Sequence, residues 1–225
     1  MDTISLNEVK YEYRTKRQTV HALAGINYVF QHGVFYVIMG RSGSGKTTMV
    51  SMLAGLDDPT SGDVMLGDLP IRKMDRDKYR LDHISVIYQS LNLFPLLTAI
   101  ENVIFPLEYK SFPKQEAKEI AVDKLLSVGI DESMHHRLPA MLSGGEQQRV
   151  AIARSLANKT EFILADEPTG NLDTENSLLI GRLLKDLAKK EDICVIVMTH
   201  DLAMTVEADV VLRISDGLLL SDDQQ

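Results

Sequence analysis

A glycine-rich run that begins at Gly40 has the residue types and spacing of a phosphate-binding loop. It reads Gly40-Arg41-Ser42-Gly43-Ser44-Gly45-Lys46-Thr47 and fits the pattern G-x-x-x-x-G-K-[ST] at each specified position. Glycines let the backbone bring its N–H groups close to phosphate oxygens, and a helix that follows points its positive end at the same anion. The alternative is a chance glycine turn, which the apolar run before the loop and the helical pattern after it disfavour.

The end of this run supplies a cation and a metal ligand. Lys46 can reach the β- and γ-phosphates of a nucleotide, and the Thr47 hydroxyl can bind Mg²⁺. We therefore predict that the loop binds Mg-ATP. The predicted binding residues are Gly40, Ser42, Gly43, Ser44, Gly45, Lys46, Thr47 and Thr48.

Two acids follow the apolar run at 162–165. Hydrolysis of a nucleotide needs an acid that holds the metal and a group that orients water. Open α/β sheets bind ligands where their strands end, and Asp166 and Glu167 stand at such a point. We expect Asp166 to hold Mg²⁺ through water and Glu167 to act as the general base. Considered without the phosphate loop, the pair would be two solvated acids at a strand end.

A second candidate anion site lies at Ser143-Gly144-Gly145-Glu146. Serine followed three residues later by glutamate is a capping box, which predicts a helix over 147–157. The simplest interpretation is a well-capped helix. Two glycines at the cap also leave backbone N–H groups accessible at a helix N-terminus, where anions bind.

Several elements must position these residues. Short apolar runs alternate with helical patterns, which predicts an α/β fold. We expect early strands at 4–13 and 26–30, strands buried on both faces at 34–39, 162–165 and 193–198, and a helix at 47–56. Residues 90–158 are mainly helical in character and read as an insertion, in which Pro113 begins one helix and Gly129 ends it.

Composition restricts the class of partner. The 225 residues include 24 basic and 32 acidic side chains, for a net charge of -8. Phosphate contacts need clustered Lys and Arg, so we expect no nucleic-acid partner. The adjacent His135 and His136 lack cysteines or acids at ligand spacing and are interpreted as loop residues, not as metal ligands.

The single cysteine and the lengths of the apolar runs help to predict the cellular compartment. Cys194 excludes an intramolecular disulfide, and its apolar neighbours predict a buried structural thiol. The first residues lack signal-peptide features, and no apolar run approaches the roughly 20 residues that span a bilayer. We expect a soluble chain that reaches a membrane only through a partner.

Together these motifs resemble, in order and spacing, the ATPase subunits of ATP-binding-cassette (ABC) systems. The resemblance rests on the loop at 40–48, Gln89, 142–148, 164–168, Asn171-Leu172-Asp173 and His200, and it covers essentially the whole chain. It implies a P-loop NTPase core with a mixed sheet, an N-terminal antiparallel β subdomain and a helical insertion that carries the signature motif. The single domain, 1–225, would divide into a nucleotide-binding core, 1–89 and 159–225, and a helical subdomain, 90–158.

The same resemblance assigns roles to individual residues. Two copies of the chain would pair head to tail, and Ser143, Gly144, Gly145 and Glu146 would close over ATP held by the other copy. Asp173 would signal between the two ATP sites, and Tyr13 would stack on adenine, with Tyr11 close enough to make that choice less secure. The implied catalytic residues are Lys46, Gln89, Glu167 and His200, and the implied metal ligands are Thr47, Gln89 and Asp166.

Two runs of sequence narrow the range of cellular functions that the resemblance implies. Residues 88–103 and 167–173 are similar to the branch of lipoprotein-releasing, macrolide-exporting and antimicrobial-peptide-resistance ATPases. The cell-division ATPase of that branch shares them, so regulation of a cell-wall hydrolase stays open beside export, extraction or peptide resistance. ABC ATPases that act on nucleic acid or ribosomes usually carry a long insertion or a second cassette, and we expect neither to fit in 225 residues with one phosphate loop.

Apolar bulk beside Gln89 suggests where a membrane partner docks. The residues are Leu91, Leu93, Phe94 and Leu97. Some of them should pack in the insertion's own core, and an exposed remainder would suit an integral membrane permease docking near residues 89–105. The chain would then be cytoplasmic and peripheral on the inner face of the cell membrane.

Overall fold

The computed structural model describes residues 3–14 and 18–221, so the predicted domain limits at 1 and 225 lie outside the described residues. The strands are β1 Ile4–Arg14, β2 Thr19–Phe30, β3 Phe35–Met39, β4 Ser61–Leu66, β5 Leu69–Pro70, β6 Ile84–Ile87, β7 Phe162–Asp166, β8 Cys194–Thr199, β9 Val210–Ser215 and β10 Leu218–Ser221. The helices are α1 Lys46–Leu53, α2 Arg76–Asp82, α3 Ala99–Tyr109, α4 Lys114–Ser127, α5 Gly144–Ala157 and α6 Thr174–Lys190. Short 3₁₀ turns lie at Ile71–Lys73, Glu132–Met134, Pro139–Met141 and Leu202–Val206.

A mixed central sheet carries the strand order β10-β9-β3-β8-β7-β6. Strands β9, β3, β8, β7 and β6 run parallel, and β10 pairs antiparallel with β9 at the edge. Because successive side chains on a strand point to opposite faces, Phe35 and Val37 join one apolar cluster while Tyr36 and Ile38 join another. Both faces of the sheet are therefore covered, as the continuous apolar runs predict.

The predicted buried thiol is confirmed. Cys194 begins β8 and is 0% exposed within the apolar cluster that also holds α1. Burial raises the pKa of its thiol, because the thiolate would lose its hydration.

A second, antiparallel sheet has the order β2-β1-β4-β5 and covers α1 from the other side. Strand β2 is longer than the predicted 26–30, because it pairs with β1 from Thr19 to Phe30. The alternation of polar and apolar residues at 19–22 is broken at Ala22-Leu23-Ala24, and pairing with β1 keeps the whole segment in the strand.

The helical region begins with α3 and ends with α5. Buried side chains of α3, α4 and α5, among them Val103, Leu125 and Val150, pack in one cluster with Ile163 of the central sheet. Helix α4 starts after Pro113 and ends at the left-handed Gly129, whose N–H donates to Leu126 O at 3.0 Å, as predicted. This region and the sheet share a core, so packing does not separate them. The boundaries of a helical subdomain at 89/90 and 158/159 therefore stay a prediction.

The described residues contain no helix with both the length and the apolar character to cross a bilayer. His135 and His136 follow the turn Glu132–Met134, and His135 is 4% exposed with Nε2 3.1 Å from Ile130 O. The ring of His135 therefore satisfies a buried carbonyl of its own loop.

We expect Gly62→Ala to destabilise the chain by about 3 kcal/mol, from backbone strain and a steric clash together. Gly62 has φ +81°, and an added Cβ would lie 2.5 Å from Asn7 O where β4 crosses an irregular part of β1. Gly129→Ala is the matched control, because φ is +75° and nothing lies within 4 Å of the added carbon. Strain by itself should cost about 1 kcal/mol there. If urea unfolding showed that the two variants lose the same free energy of unfolding, the proposed clash would be contradicted.

Candidate nucleotide-binding site

The glycine-rich loop connects β3 to α1, and close packing demands two of its glycines. A Cβ on Gly40 would lie 2.9 Å from Ile214 O, and one on Gly45 would collide with the carbonyl oxygen of Ala22. Gly45 also has φ +109° and stands at the N-cap of α1 without a side-chain cap. The first N–H groups of α1 thus have no protein side chain capping them, which suits an anion.

Lys46 lies beneath this loop and is 7% exposed. Its Nζ donates to Gly40 O at 2.7 Å and to Arg41 O at 3.2 Å, and it forms an ion pair with Glu167 Oε1 at 3.2 Å. A buried ammonium needs such partners, because an unpaired charge away from water is costly. Lys46 therefore joins the loop to the end of β7.

Glu167 is held as an ionised carboxylate. Its Oε2 accepts from Thr199 Oγ1 at 2.9 Å and from the His200 N–H at 3.2 Å, and it lies 2.9 Å from His200 Nδ1. Burial by itself would raise the Glu167 pKa, but hydrogen bonds from His200, Thr199 and Lys46 outweigh it and lower the pKa. A left-handed backbone, φ +50°, turns this side chain toward β8.

Asp166 has the environment of a metal-binding acid. Its Oδ1 is inaccessible to solvent and has no hydrogen-bond partner among the described residues. Burial raises its pKa in spite of a hydrogen bond from Thr47. A buried carboxylate oxygen without a donor fits a cation or the water of a cation. Thr47 and Asp166 are therefore suited to Mg²⁺.

A cleft of about 580 Å³ brings residues from across the chain together. Lys46, Thr47 and Thr48 line it with Glu167 and His200. The other lining residues are Tyr13, Val20, Ala22, Ser42, Gly43, Gly45 and Gln89. Gly40, Ser44 and Asp166 lie beside the cleft without lining it: Gly40 supports Lys46, and the Ser44 hydroxyl is buried.

The aromatic wall of the cleft is Tyr13 and not Tyr11. Tyr13 is 48% exposed, and its hydroxyl lies 3.1 Å from Thr48 Oγ1. Tyr11 packs edge-on against Tyr13 at 4.9 Å, and its hydroxyl donates to Asp57, which raises the Tyr11 pKa to about 12. Val20 and Ala22 complete the wall and escaped the sequence analysis, because no motif marks them. Val20 reaches the cleft because it pairs with Tyr13 of β1, and Ala22 lies two residues further along β2.

Gln89 follows β6 and reaches the cleft next to Gly170. A Cβ on Gly170 would lie 2.8 Å from Gln89 Nε2, so the glycine leaves room for the amide. Gln89 thereby faces the same space as Glu167 and His200.

The predicted signature residues lie elsewhere in the same copy. Ser143 N donates to Glu146 Oε2 at 2.6 Å and Glu146 N to Ser143 Oγ at 3.3 Å, so the predicted capping box is confirmed. Hydrogen bonds to the Glu146 carboxylate from the backbone and the side chain of Ser143 lower the pKa of Glu146. Gly144 and Gly145 face Leu172 and Asn176, and none of 143–146 lines the cleft.

Asp173 also lies outside the cleft. It caps α6 by accepting from Asn176 N at 2.8 Å, and the hydrogen bonds from Asn176 lower its pKa. The structure therefore gives Asp173 a capping role, and signalling between sites stays a prediction.

Comparison with known proteins agrees with this geometry. A sequence model of the ABC transporter family matches residues 23–170. The ABC transporter ATP-binding protein YclH of Bacillus subtilis is 40% identical over 217 residues, which are 96% of this chain and 95% of YclH. The macrolide export ATP-binding/permease protein MacB of Rhodopirellula baltica is 40% identical over 227 residues, but the chain spans only 33% of MacB.

Solved structures show the same fold. The dimeric structure of MJ0796, a bacterial ABC transporter cassette, aligns with a TM-score of 0.86 at 38% identity and covers 96% of each chain. A second dimeric structure of MJ0796, in a post-hydrolysis state bound to ADP and Pi, also aligns with a TM-score of 0.86, at 37% identity. A protein of this name from Methanocaldococcus jannaschii is 40% identical over 220 residues. The predicted fold class, family and ATPase activity are confirmed. The chain belongs to the ABC transporter family and is an ATPase of that family.

Proposed function

We propose that this ATPase is a nucleotide-driven dimer that energises a membrane permease. The observation that carries the proposal is the separation, within one copy, of the phosphate cleft from the capped glycines at 143–146. A second copy placed head to tail would supply those glycines to ATP held by the first. The dimeric MJ0796 cassettes support this arrangement.

The residues of the cleft divide the work of hydrolysis. Loop N–H groups and Lys46 hold the phosphates of ATP, and Tyr13 stacks on the adenine. Thr47, Asp166 and Gln89 would hold Mg²⁺, which neutralises charge on phosphate oxygens when bound. Water attacks the γ-phosphorus, its proton passes to Glu167, and the bond to the bridging oxygen breaks as ADP leaves. His200 holds Glu167 and contacts the γ-phosphate.

ATP itself activates the base in this scheme. In the structure, Lys46 pairs with Glu167 and helps to lower its pKa. When Lys46 turns to phosphate, Glu167 loses a cationic partner and its pKa rises, which makes it a better proton acceptor. Thr199 and His200 keep the carboxylate in position during this exchange.

Exposed apolar residues near Gln89 offer a surface for the permease. Leu91, Leu93 and Leu97 are half-buried, and Leu93 packs on the core. Phe94 and Leu96 are 39% and 87% exposed, and the ring of Phe94 lies 4.5 Å from the exposed ring of Phe105, tilted by 49°. Such a patch fits an apolar face of a cytoplasmic helix.

The similarity to MacB, whose name includes a permease, favours a transport role such as export. In this scheme the chain lies peripherally on the inner face of the cell membrane, held there by the permease.

Glu167→Gln should bind ATP, lose about 100-fold or more of its turnover and accumulate as a dimer with ATP. The amide keeps the shape of the side chain but cannot accept the proton. Phosphate release and light scattering measure the two effects. Glu161→Gln is the matched control, because Glu161 pairs with His83 outside the cleft. Near-normal turnover of Glu167→Gln would refute the general-base role, and a full dimer without nucleotide would refute the ATP-driven closure.

Lys46→Ala should weaken ATP binding roughly 10- to 100-fold, the loss expected for a charged hydrogen bond. Titration with labelled ATP measures it. Lys185→Ala removes a half-exposed lysine that pairs with Glu207, and its affinity should match that of the unchanged chain. An unchanged dissociation constant in Lys46→Ala would contradict the phosphate contact.

Leu96→Glu and Phe94→Glu should lower the ATP-driven activity of the purified permease complex by about tenfold or more, because a charge would enter an apolar contact. Leu69→Glu, on the distant β5, is the control, since Leu69 is 59% exposed and lies outside the patch. Full activity of both patch variants in the complex would rule out docking at this surface.

A further inference from the structure

Arg154 makes a contact that the proposed chemistry does not use. It lies on α5, and its guanidinium donates from Nη1 to Asn92 O and from Nη2 to Leu91 O, both at 2.7 Å. A planar fork on two adjacent carbonyls fixes orientation as well as distance. Burial lowers the Arg154 pKa, yet arginine stays protonated at neutral pH.

The backbone that Arg154 holds is strained. Leu91 and Asn92 have φ +58° and +47°, consecutive left-handed conformations that non-glycine residues rarely adopt. The Leu91 N–H donates to Tyr88 O at 2.8 Å, so residues 88–91 form a tight turn that contains Gln89. Such strain persists only where the surroundings impose it, and the Arg154 fork is the contact from α5 that does so.

A second side chain anchors the far end of this segment. Asn102 of α3 is 0% exposed; its Oδ1 accepts from Phe94 N at 2.8 Å and its Nδ2 donates to Phe94 O at 3.2 Å. Residues 91–94 are thus attached to α3 through Asn102 and to α5 through Arg154. A movement of α5 relative to the sheet must act on the turn that carries Gln89.

Helix α5 is also the element that begins at the signature glycines. Gly144 and Arg154 are ten residues apart on one helix, or about 15 Å. We propose that Arg154 is a positioning residue that couples Gln89, in the ATP site of one copy, to Ser143–Gly145, which the same copy presents to ATP on its partner. This inference rests on the proposed dimer. Closure of the dimer on one ATP would thereby set the position of the Gln89 amide that faces the other ATP.

A second cation, Lys110, makes a comparable contact with a backbone carbonyl. Lys110, at the end of α3, donates from Nζ to Asn158 O at 2.9 Å and so contacts the C-terminal end of α5. Like Arg154, it is a partly buried cation on a backbone carbonyl, and burial lowers its pKa. It does not contact residues 91 or 92 in any described hydrogen bond, which makes it a matched control.

The test combines Arg154→Met, Arg154→Lys and Lys110→Met with Glu167→Gln and follows dimer formation against ATP concentration. We expect Arg154→Met to need about tenfold more ATP for half-maximal dimer, within the range of ordinary coupling free energies. Arg154→Lys should give a smaller shift, because a single ammonium cannot make the two-carbonyl fork. Lys110→Met should shift the ATP concentration for half-maximal dimer by less than about twofold, even if it lowers the thermal stability as much as Arg154→Met does.

Steady-state kinetics supply a second readout with Glu167 intact. Misplacement of Gln89 should lower kcat of Arg154→Met about tenfold while the dissociation constant for ATP changes less than about twofold. Should the methionine variant fail to fold, the lysine variant must still show both changes in reduced form.

Three results separate the possibilities. An unchanged dimer midpoint and unchanged kcat in Arg154→Met would overturn the inference, and so would an equal shift in Lys110→Met, since packing would then explain both. If Glu167→Gln alone forms no dimer with ATP, the dimer proposal fails. In that case an unchanged kcat in Arg154→Met also overturns the role of Arg154, whereas a lowered kcat at unchanged ATP affinity supports its hold on Gln89.

Discussion

The ion pair between Lys46 and Glu167 is the interaction on which the rest of the site depends. It joins the loop after β3 to the end of β7, and the end of β8, with Thr199 and His200, lies between them. A buried pair is stable only when its remaining donors and acceptors are satisfied. Two loop carbonyls satisfy Lys46, and Thr199 and His200 satisfy Glu167. Removing any one strand of the three would leave a buried charge without its partners.

The contacts of Lys46 make the cleft sensitive to a bound anion. A phosphate bound by Lys46 would displace at least one of its present contacts, and loss of the ion pair would change the surroundings of Glu167. Asp166, next to it, has a buried oxygen with no donor and a raised pKa, whereas the Glu167 pKa is lowered. Neighbouring carboxyls with opposite shifts suit different tasks, one toward a cation and the other toward a proton.

The helical region shares the apolar core of the sheet and is tied to it by polar contacts as well. The capping box at Ser143 and Glu146 keeps the start of α5 rigid, and Arg154 links that helix to the turn after β6. The signature glycines and Arg154 therefore lie on the same helix, and Arg154 contacts the backbone two and three residues after Gln89. One copy holds the phosphate-binding cleft and, apart from it, the capped start of α5.

What the sequence determined by itself was the chemistry of short segments. The loop at 40–47, the acids at the end of β7, the capping box at 143–146 and the helix between Pro113 and Gly129 are local patterns whose conformations follow from φ preferences and nearby hydrogen bonds. Tertiary structure decided the rest. Pairing and packing between distant residues set the length of β2, the choice of the predicted Tyr13 over the nearby Tyr11, and the cleft wall at Val20 and Ala22. They also leave Leu96 exposed beside the half-buried Leu93. A local pattern cannot encode which distant strand or helix covers a side chain, because burial is a property of the assembled fold.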